Sequence, residues 1–275
     1  MQFCMDNKDN SLALITGASS GIGLELAKCF AKDGHDVILV AEDSAGLDVA
    51  AAEMRGLGSR SVDTIVADLS DVKGSRTVFD EVRARGRQVD VLVDNAGVGV
   101  YGKFIENDLD EEIDMINLNT IGFVAMAKFF VPLMVQRGSG RVLITASVAS
   151  RTPTPYMTIY GATKAFVYEF AQGLREELHD TGVTVTALMP GPTDTNFFER
   201  AGAENSKLMD EKMADPAEVA QAGYDALMRG DDKIVVPLKY KIMTAVNQVV
   251  PDPLVAKQSR KKHEPRDEER GEGRP

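Results

Sequence analysis

Seven short runs rich in Val, Ile and Leu punctuate this chain without alternating with polar residues: Leu12–Thr16, Val37–Ala41, Ser61–Ala67, Val89–Asp94, Arg141–Thr145, Val183–Met189 and Lys233–Val236. A strand apolar on both sides is buried on both sides, as in a parallel sheet covered by helices. Segments with helical spacing lie between the runs: Gly21–Lys32, Glu111–Gln136, Ile159–His179 and Pro216–Arg229. The last opens with Asp215-Pro216, an N-cap residue followed by Pro at the first helical position. This order predicts an α/β fold, a doubly wound, mostly parallel sheet of about seven strands with helices on both faces.

The 275 residues are 44% hydrophobic, enough for a sizeable core. One catalytic domain over residues 1–256 is expected. Residues 257–275 hold seven Lys or Arg, five Asp or Glu and no large apolar side chain, so a disordered tail is expected there. Net charge is −11 and there is no Trp, which argues against nucleic acid and anionic lipid as partners. The N-terminal segment MQFCMDNKDN carries no secretory pattern, and the apolar tract Ile121–Val135, with Lys128 and Pro132, is short for a bilayer. A cytoplasmic protein with no membrane partner is expected. Cys4 and Cys29 read as free thiols. His35, His179 and His263 have no ligand spacing and read as surface residues, so no metal is expected.

Chemistry concentrates first at Thr16-Gly17-Ala18-Ser19-Ser20-Gly21-Ile22-Gly23, between the first strand and the first helix. Glycines let backbone approach a pyrophosphate, and free N–H groups at a helix start favour negative charge. With this turn, five further elements follow in order. Asp68-Leu69 ends the third strand, Asp94-Asn95-Ala96-Gly97 the fourth, and Asn119 lies in MINLNTIG. Ser147 precedes Tyr160-Gly161-Ala162-Thr163-Lys164, and Pro190-Gly191-Pro192-Thr193-Asp194-Thr195 follows the sixth strand. From about Leu12 to Val236 the set resembles the single-domain branch of the short-chain dehydrogenase/reductase superfamily.

That resemblance implies an NAD(P)-dependent enzyme passing hydride between nicotinamide and an alcohol or carbonyl carbon. It implies cofactor contacts from Gly17, Ser19, Ser20, Gly21, Ile22, Gly23, Asp68, Leu69, Asn95, Ala96, Gly97, Pro190, Gly191, Thr193 and Thr195. It further implies that Lys164 holds the ribose, and that Asn119 anchors a water linking Lys164 to solvent. Residue chemistry points the same way. Tyr160 and Lys164 stand four apart, on one helical face. A nearby ammonium lowers a phenol from its ordinary pKa near 10, so Tyr160 is expected to exchange a proton with the substrate oxygen while Lys164 tunes it. Ser147 is expected to hydrogen-bond that oxygen.

Two positions depart from the family pattern. Asp94 stands where Asn is usual, and a carboxylate accepts but does not donate. At the end of the second strand stands Glu42, with Asp43 beside it, where similar chains carry Arg to grip a 2′-phosphate. The carboxylate leans the choice towards NAD(H) over NADP(H), while the resemblance to Arg-bearing relatives pulls the other way. Residues 191–215 are expected to form a substrate lid, with Phe197, Phe198, Leu208 and Met209 lining it for a partly apolar substrate. The family implies a homodimer or homotetramer built on the long helices. The alternatives are a catalytically silent dinucleotide-binding sensor or scaffold and a lyase or epimerase using dinucleotide transiently.

Overall fold

The computed structural model describes residues 11–247 and 250–266. All seven apolar runs pair into one parallel sheet: β1 (Leu12–Thr16), β2 (Asp36–Ala41), β3 (Val62–Val66), β4 (Val91–Asp94), β5 (Gly140–Thr145), β6 (Val183–Pro190) and β7 (Lys233–Val236), in the order β3-β2-β1-β4-β5-β6-β7. Alternate side chains explain why the inner strands are apolar on both faces, while the edge strands β3 and β7 are less buried. Leu12 and Leu14 enter one buried cluster, while Ala13 and Ile15 enter the cluster on the opposite face. Each large aliphatic side chain so buried contributes roughly 1.5–3 kcal/mol.

Helices α1 (Gly21–Lys32) and α2 (Ser44–Leu57) cover one face together with α8 (Pro216–Arg229). The other face carries α3 (Val72–Ala84), α5 (Phe123–Arg137) and α6 (Thr158–Glu177). After β3 the chain returns to place β4 beside β1, so the connections leaving β1 and β4 diverge to opposite faces. That divergence opens a crevice at the carboxyl ends of these strands, where ligands bind in doubly wound sheets.

The helix expected over Glu111–Gln136 is interrupted. It begins as α4 (Leu109–Ile116), capped by Asp108 accepting from Asp110 N and Glu111 N, and passes through a π-helical turn over Asn117–Gly122 before α5. Gly122 is required there: a Cβ would lie 2.7 Å from the Leu69 oxygen. The whole run, Leu109–Arg137, is 29 residues and by length and composition could cross a membrane, which corrects the expectation that the apolar tract is too short. Its most apolar window is 56% buried within the fold, as a core helix is.

Between β6 and β7, α7 (Phe197–Arg200) and a 3-10 turn (Lys207–Asp210) precede α8. After β7 come α9 (Leu238–Asn247) and α10 (Asp252–His263). The expected disordered tail is therefore corrected over residues 257–266. Val255 and Ser259 of α10 are buried, Lys262 pairs with Glu211 at 2.8 Å, and Lys207 pairs with Glu264 at 2.6 Å. Arg266 reaches Asp210 at 2.6 Å. Three of the charges that suggested a solvated tail, Lys262, Glu264 and Arg266, are instead matched against the lid segment. Residues 267–275, and Cys4, lie outside the described residues.

Two histidines also differ from expectation. His35 is buried edge-on against Phe30, centroids 5.3 Å apart, and His263 is mostly enclosed, its Nδ1 2.8 Å from the Ser259 oxygen. His179 is exposed, and Cys29 is a buried free thiol.

Candidate active site

The crevice at the carboxyl ends of the strands has a volume of about 590 Å³. Every residue expected to touch cofactor or substrate lines it, with two exceptions, Asn119 and Met209. At its floor the glycine turn is shaped for close backbone approach. Gly17 and Gly21 take φ of 65° and 58°, and a Cβ on Gly23 would sit 2.2 Å from the Gly17 oxygen. Ser20, at the N-cap of α1, makes no side-chain cap bond. The first N–H groups of α1 thus meet the crevice without a capping side chain, a cradle that suits a phosphate anion.

Thr16, which sequence reasoning passed over, organises the next wall. Its Oγ1 accepts from Asn95 N at 2.8 Å and Ala96 N at 3.0 Å. The same hydroxyl lies 3.3 Å from Asp94 Oδ1 and 3.4 Å from the Val93 oxygen, to which it donates. Asn95 is fixed on both sides, donating to the Thr16 oxygen at 3.1 Å and accepting from Thr145 Oγ1 at 3.1 Å. Asp94 is fully enclosed, and its Oδ2 has no hydrogen-bond partner among the described residues. Burial pushes its carboxyl well above the usual range; the Thr16 hydrogen bond and the Lys164 charge oppose that.

Asn119 stands behind the wall, fully buried within the π-helical turn. Its amide clamps Val98, accepting from Val98 N at 3.0 Å and donating to the Val98 oxygen at 2.9 Å. It also donates to Thr163 Oγ1 at 3.1 Å, tying the Gly97-Val98 loop to α6.

Ser147 follows β5 and caps the 3-10 turn Val148–Arg151, accepting from Ala149 N at 3.1 Å and donating to the Pro190 oxygen at 3.5 Å. It is both a turn cap and a crevice residue. Tyr160, in the first turn of α6, stacks tilted on Phe197 at 5.2 Å. Burial pushes the Tyr160 phenol up to about 12, against a hydrogen bond with Ser147 that lowers it. Lys164, one turn on, is buried; its Nζ donates to the Thr145 oxygen at 2.9 Å and lies 5.2 Å from the Phe123 ring centroid. Burial lowers it to about 8, and Asp94 opposes that shift. The expectation that Lys164 lowers the phenol is not met in this arrangement, because the ammonium is engaged by strand β5 and sits 6.0 Å from the Tyr160 ring centroid.

Glu42 is exposed at the end of β2 and lines the crevice, while Asp43 is occupied capping α2 through Gly46 N at 3.0 Å. Asp68 accepts from Ser70 N at 2.8 Å, with Leu69 buried beside it. Gly191 is held against Tyr240, where a Cβ would lie 2.4 Å from the ring, and Thr193 donates to the Gly191 oxygen at 2.9 Å. Thr195 packs on Gly21 across the opening. Of the expected lid residues Phe197, Phe198 and Leu208 line the crevice, whereas Met209 packs behind them. Tyr240, Met243, Val255, Lys262 and His263 also line it, and no local motif announced them. Among the described residues no cluster of three or more His, Cys, Asp or Glu could hold a metal.

The model of the short chain dehydrogenase family matches residues 11–206. The chain belongs to that family. Among short-chain dehydrogenase relatives, a sulfoacetaldehyde reductase of Chromohalobacter salexigens is 37% identical over 201 residues, covering 72% of this chain and 79% of that protein. An uncharacterized oxidoreductase of Staphylococcus saprophyticus is 30% identical over 220 residues, covering 80% of this chain and 92% of its own length. Among solved structures, a short-chain dehydrogenase of Sphingobium yanoikuyae in complex with NADPH is 33% identical, with a TM-score of 0.78 over 86% of this chain and 93% of that one. A short-chain dehydrogenase fold is an oxidoreductase scaffold, and the seven-stranded parallel sheet is the family's.

Proposed function

We propose that this short-chain dehydrogenase interconverts an alcohol and a carbonyl compound, with Tyr160 as acid and base. The observation that carries the reading is the convergence of Tyr160, Ser147 and Lys164 on the crevice wall opposite an uncapped helix start. The glycine turn and α1 would hold the pyrophosphate, Asp68 and Leu69 the adenine side, and Asn95, Ala96 and Gly97 the middle. Pro190, Gly191, Thr193 and Thr195 would border the nicotinamide, which when bound supplies or accepts hydride. Tyr160 Oη donates its proton to the substrate oxygen during reduction and takes it back during oxidation. Ser147 Oγ holds the same oxygen, stabilising charge that develops there. Lys164 would turn from the Thr145 oxygen to the ribose and, in that position, favour phenolate over phenol.

NAD(H) is the proposed cofactor. Glu42 lines the crevice at the end of β2 and would repel a 2′-phosphate bound beside it, and the cation-bearing positions of the lining, Lys164, Arg200 and Lys262, come from other elements. The NADPH of the Sphingobium enzyme argues the other way for its own chain. A homodimer is proposed through α4 and α6, where Leu109, Ile113, Ile116 and Phe166 leave large apolar side chains exposed. The direct test is turnover of a panel of ketones and aldehydes followed through loss of reduced-nicotinamide absorbance. Carbonyl reduction with either cofactor supports the reading; binding of both cofactors with no hydride transfer to any carbonyl contradicts it.

A further inference from the structure

The crevice continues past Tyr160. Its wall is first apolar, built from Met157, Phe198 and Leu208 with Val255 of α10. Its outer end then turns cationic. Arg200, at the end of α7, and Lys262, at the end of α10, are the cations that line it, with the uncharged His263 beside Lys262. Tyr101 ties the two segments together: its N–H donates to the Ala201 oxygen at 2.9 Å and its hydroxyl donates to the His263 oxygen at 2.6 Å.

Charge is distributed unevenly along this crevice. Three of its carboxylates, Glu42, Asp43 and Asp68, sit beyond β2 and β3 at the adenosine end. The fourth, Glu211, is at the outer end and is already satisfied: Oε1 accepts from Lys262 at 2.8 Å and Oε2 from Tyr240 at 2.9 Å. Arg200 has no carboxylate partner among the described residues. In a protein of net charge −11, an unmatched guanidinium at the mouth of an apolar channel is a local reversal of field. A guanidinium fork matches the two oxygens of a carboxylate.

We propose that the outer end of the crevice selects substrates whose reacting carbonyl is joined through an apolar chain to an anionic group, a carboxylate or equivalent oxyanion, bound by Arg200. The proposal rests on the hydride-transfer reading of the same crevice and names its substrate class. His263 presents no charge-neutralising group to this anion; with Nδ1 against the Ser259 oxygen, it supplies at most a polar edge.

The experiment titrates straight-chain keto acids of graded length, and their methyl esters, into the protein saturated with reduced nicotinamide, following both bound-cofactor fluorescence and turnover. At one chain length the acid binds about 10- to 100-fold more tightly than its ester, with kcat/KM following the same ratio. Arg200→Gln abolishes that ratio through KM, with kcat held within about twofold and the ester unaffected, while Arg200→Lys retains part of it. Arg200 is exposed, so neither change threatens folding. Acids and esters that bind alike at every length, or a ratio unchanged by Arg200→Gln, overturn the proposal. Failure of the hydride-transfer reading is distinguished in the same cuvette: reduced nicotinamide would not bind, or would bind with no substrate of either kind oxidising it.

Discussion

Lys164 donates from Nζ to the main-chain oxygen of Thr145 at 2.9 Å, the last residue of β5, and not to Tyr160 four residues away on its own helix. The sheet therefore holds the cation in reserve. Enclosure lowers it to about 8, and the buried carboxyl of Asp94 works against that lowering.

A pH dependence follows. Carbonyl reduction needs the ammonium to support Tyr160, so kcat/KM should hold below about 8 and fall as pH rises through that value. The sign for Asp94→Asn is set by charge: a neighbouring carboxylate favours the ammonium, so removing it lowers the Lys164 pKa. The alkaline fall should then move to lower pH, by an amount a pH–rate profile resolves. A midpoint unchanged or raised by the substitution would mean the two groups are not coupled.

Thr16→Val keeps the side-chain volume but removes the acceptor shared by Asn95 N and Ala96 N. Leaving enclosed N–H groups unpaired costs about 1–3 kcal/mol. The expected outcome is a loss of about 2 kcal/mol in denaturant unfolding, with weaker cofactor binding because the Asn95-Ala96-Gly97 loop is no longer pinned. Unchanged stability would show that other contacts hold that loop.

Glu42→Arg should reverse cofactor preference. The wild-type protein is expected to bind NADH more tightly than NADPH in calorimetric titrations at equal ionic strength, and the variant the opposite, each by about tenfold or more. Tighter NADPH binding by the wild type would mean that Glu42 turns away and another cation reads the phosphate.

Sedimentation of the wild type should give a dimer, and Ile113→Asp combined with Phe166→Glu should give a folded monomer, since both side chains are exposed in the isolated chain. A monomeric wild type at micromolar concentration contradicts the proposed α4–α6 interface.

Much of this architecture is local in origin, and to that extent it was legible from residues alone. Runs such as Val37–Ala41 are apolar on both faces because both faces are buried, and the glycine turn announces itself between a strand and a helix. What was not legible depends on register and distance. Thr16 serves Asn95 only because β1 and β4 pair with Ile15 beside Val93. Asn119 is buried in a π-helical turn within a helix whose periodicity looks continuous. Lys262 of α10 and Arg266 just after it read as a solvated tail because their partners, Glu211 and Asp210, stand some fifty residues earlier. Lys164 shares a helical face with Tyr160, yet spacing could not reveal that an oxygen of β5 holds it more closely.

The most direct test of the hydride-transfer assignment is Tyr160→Phe, assayed for reduced-nicotinamide binding by calorimetry and for carbonyl turnover in parallel. Loss of the phenolic proton should reduce kcat by about 100-fold or more, the usual range for a positioned acid or base, while the dissociation constant of the cofactor stays within about threefold. Turnover that survives the substitution with unchanged cofactor affinity would contradict Tyr160 as the acid and base, and a chain that binds cofactor identically with no turnover in either form would be a sensor or scaffold.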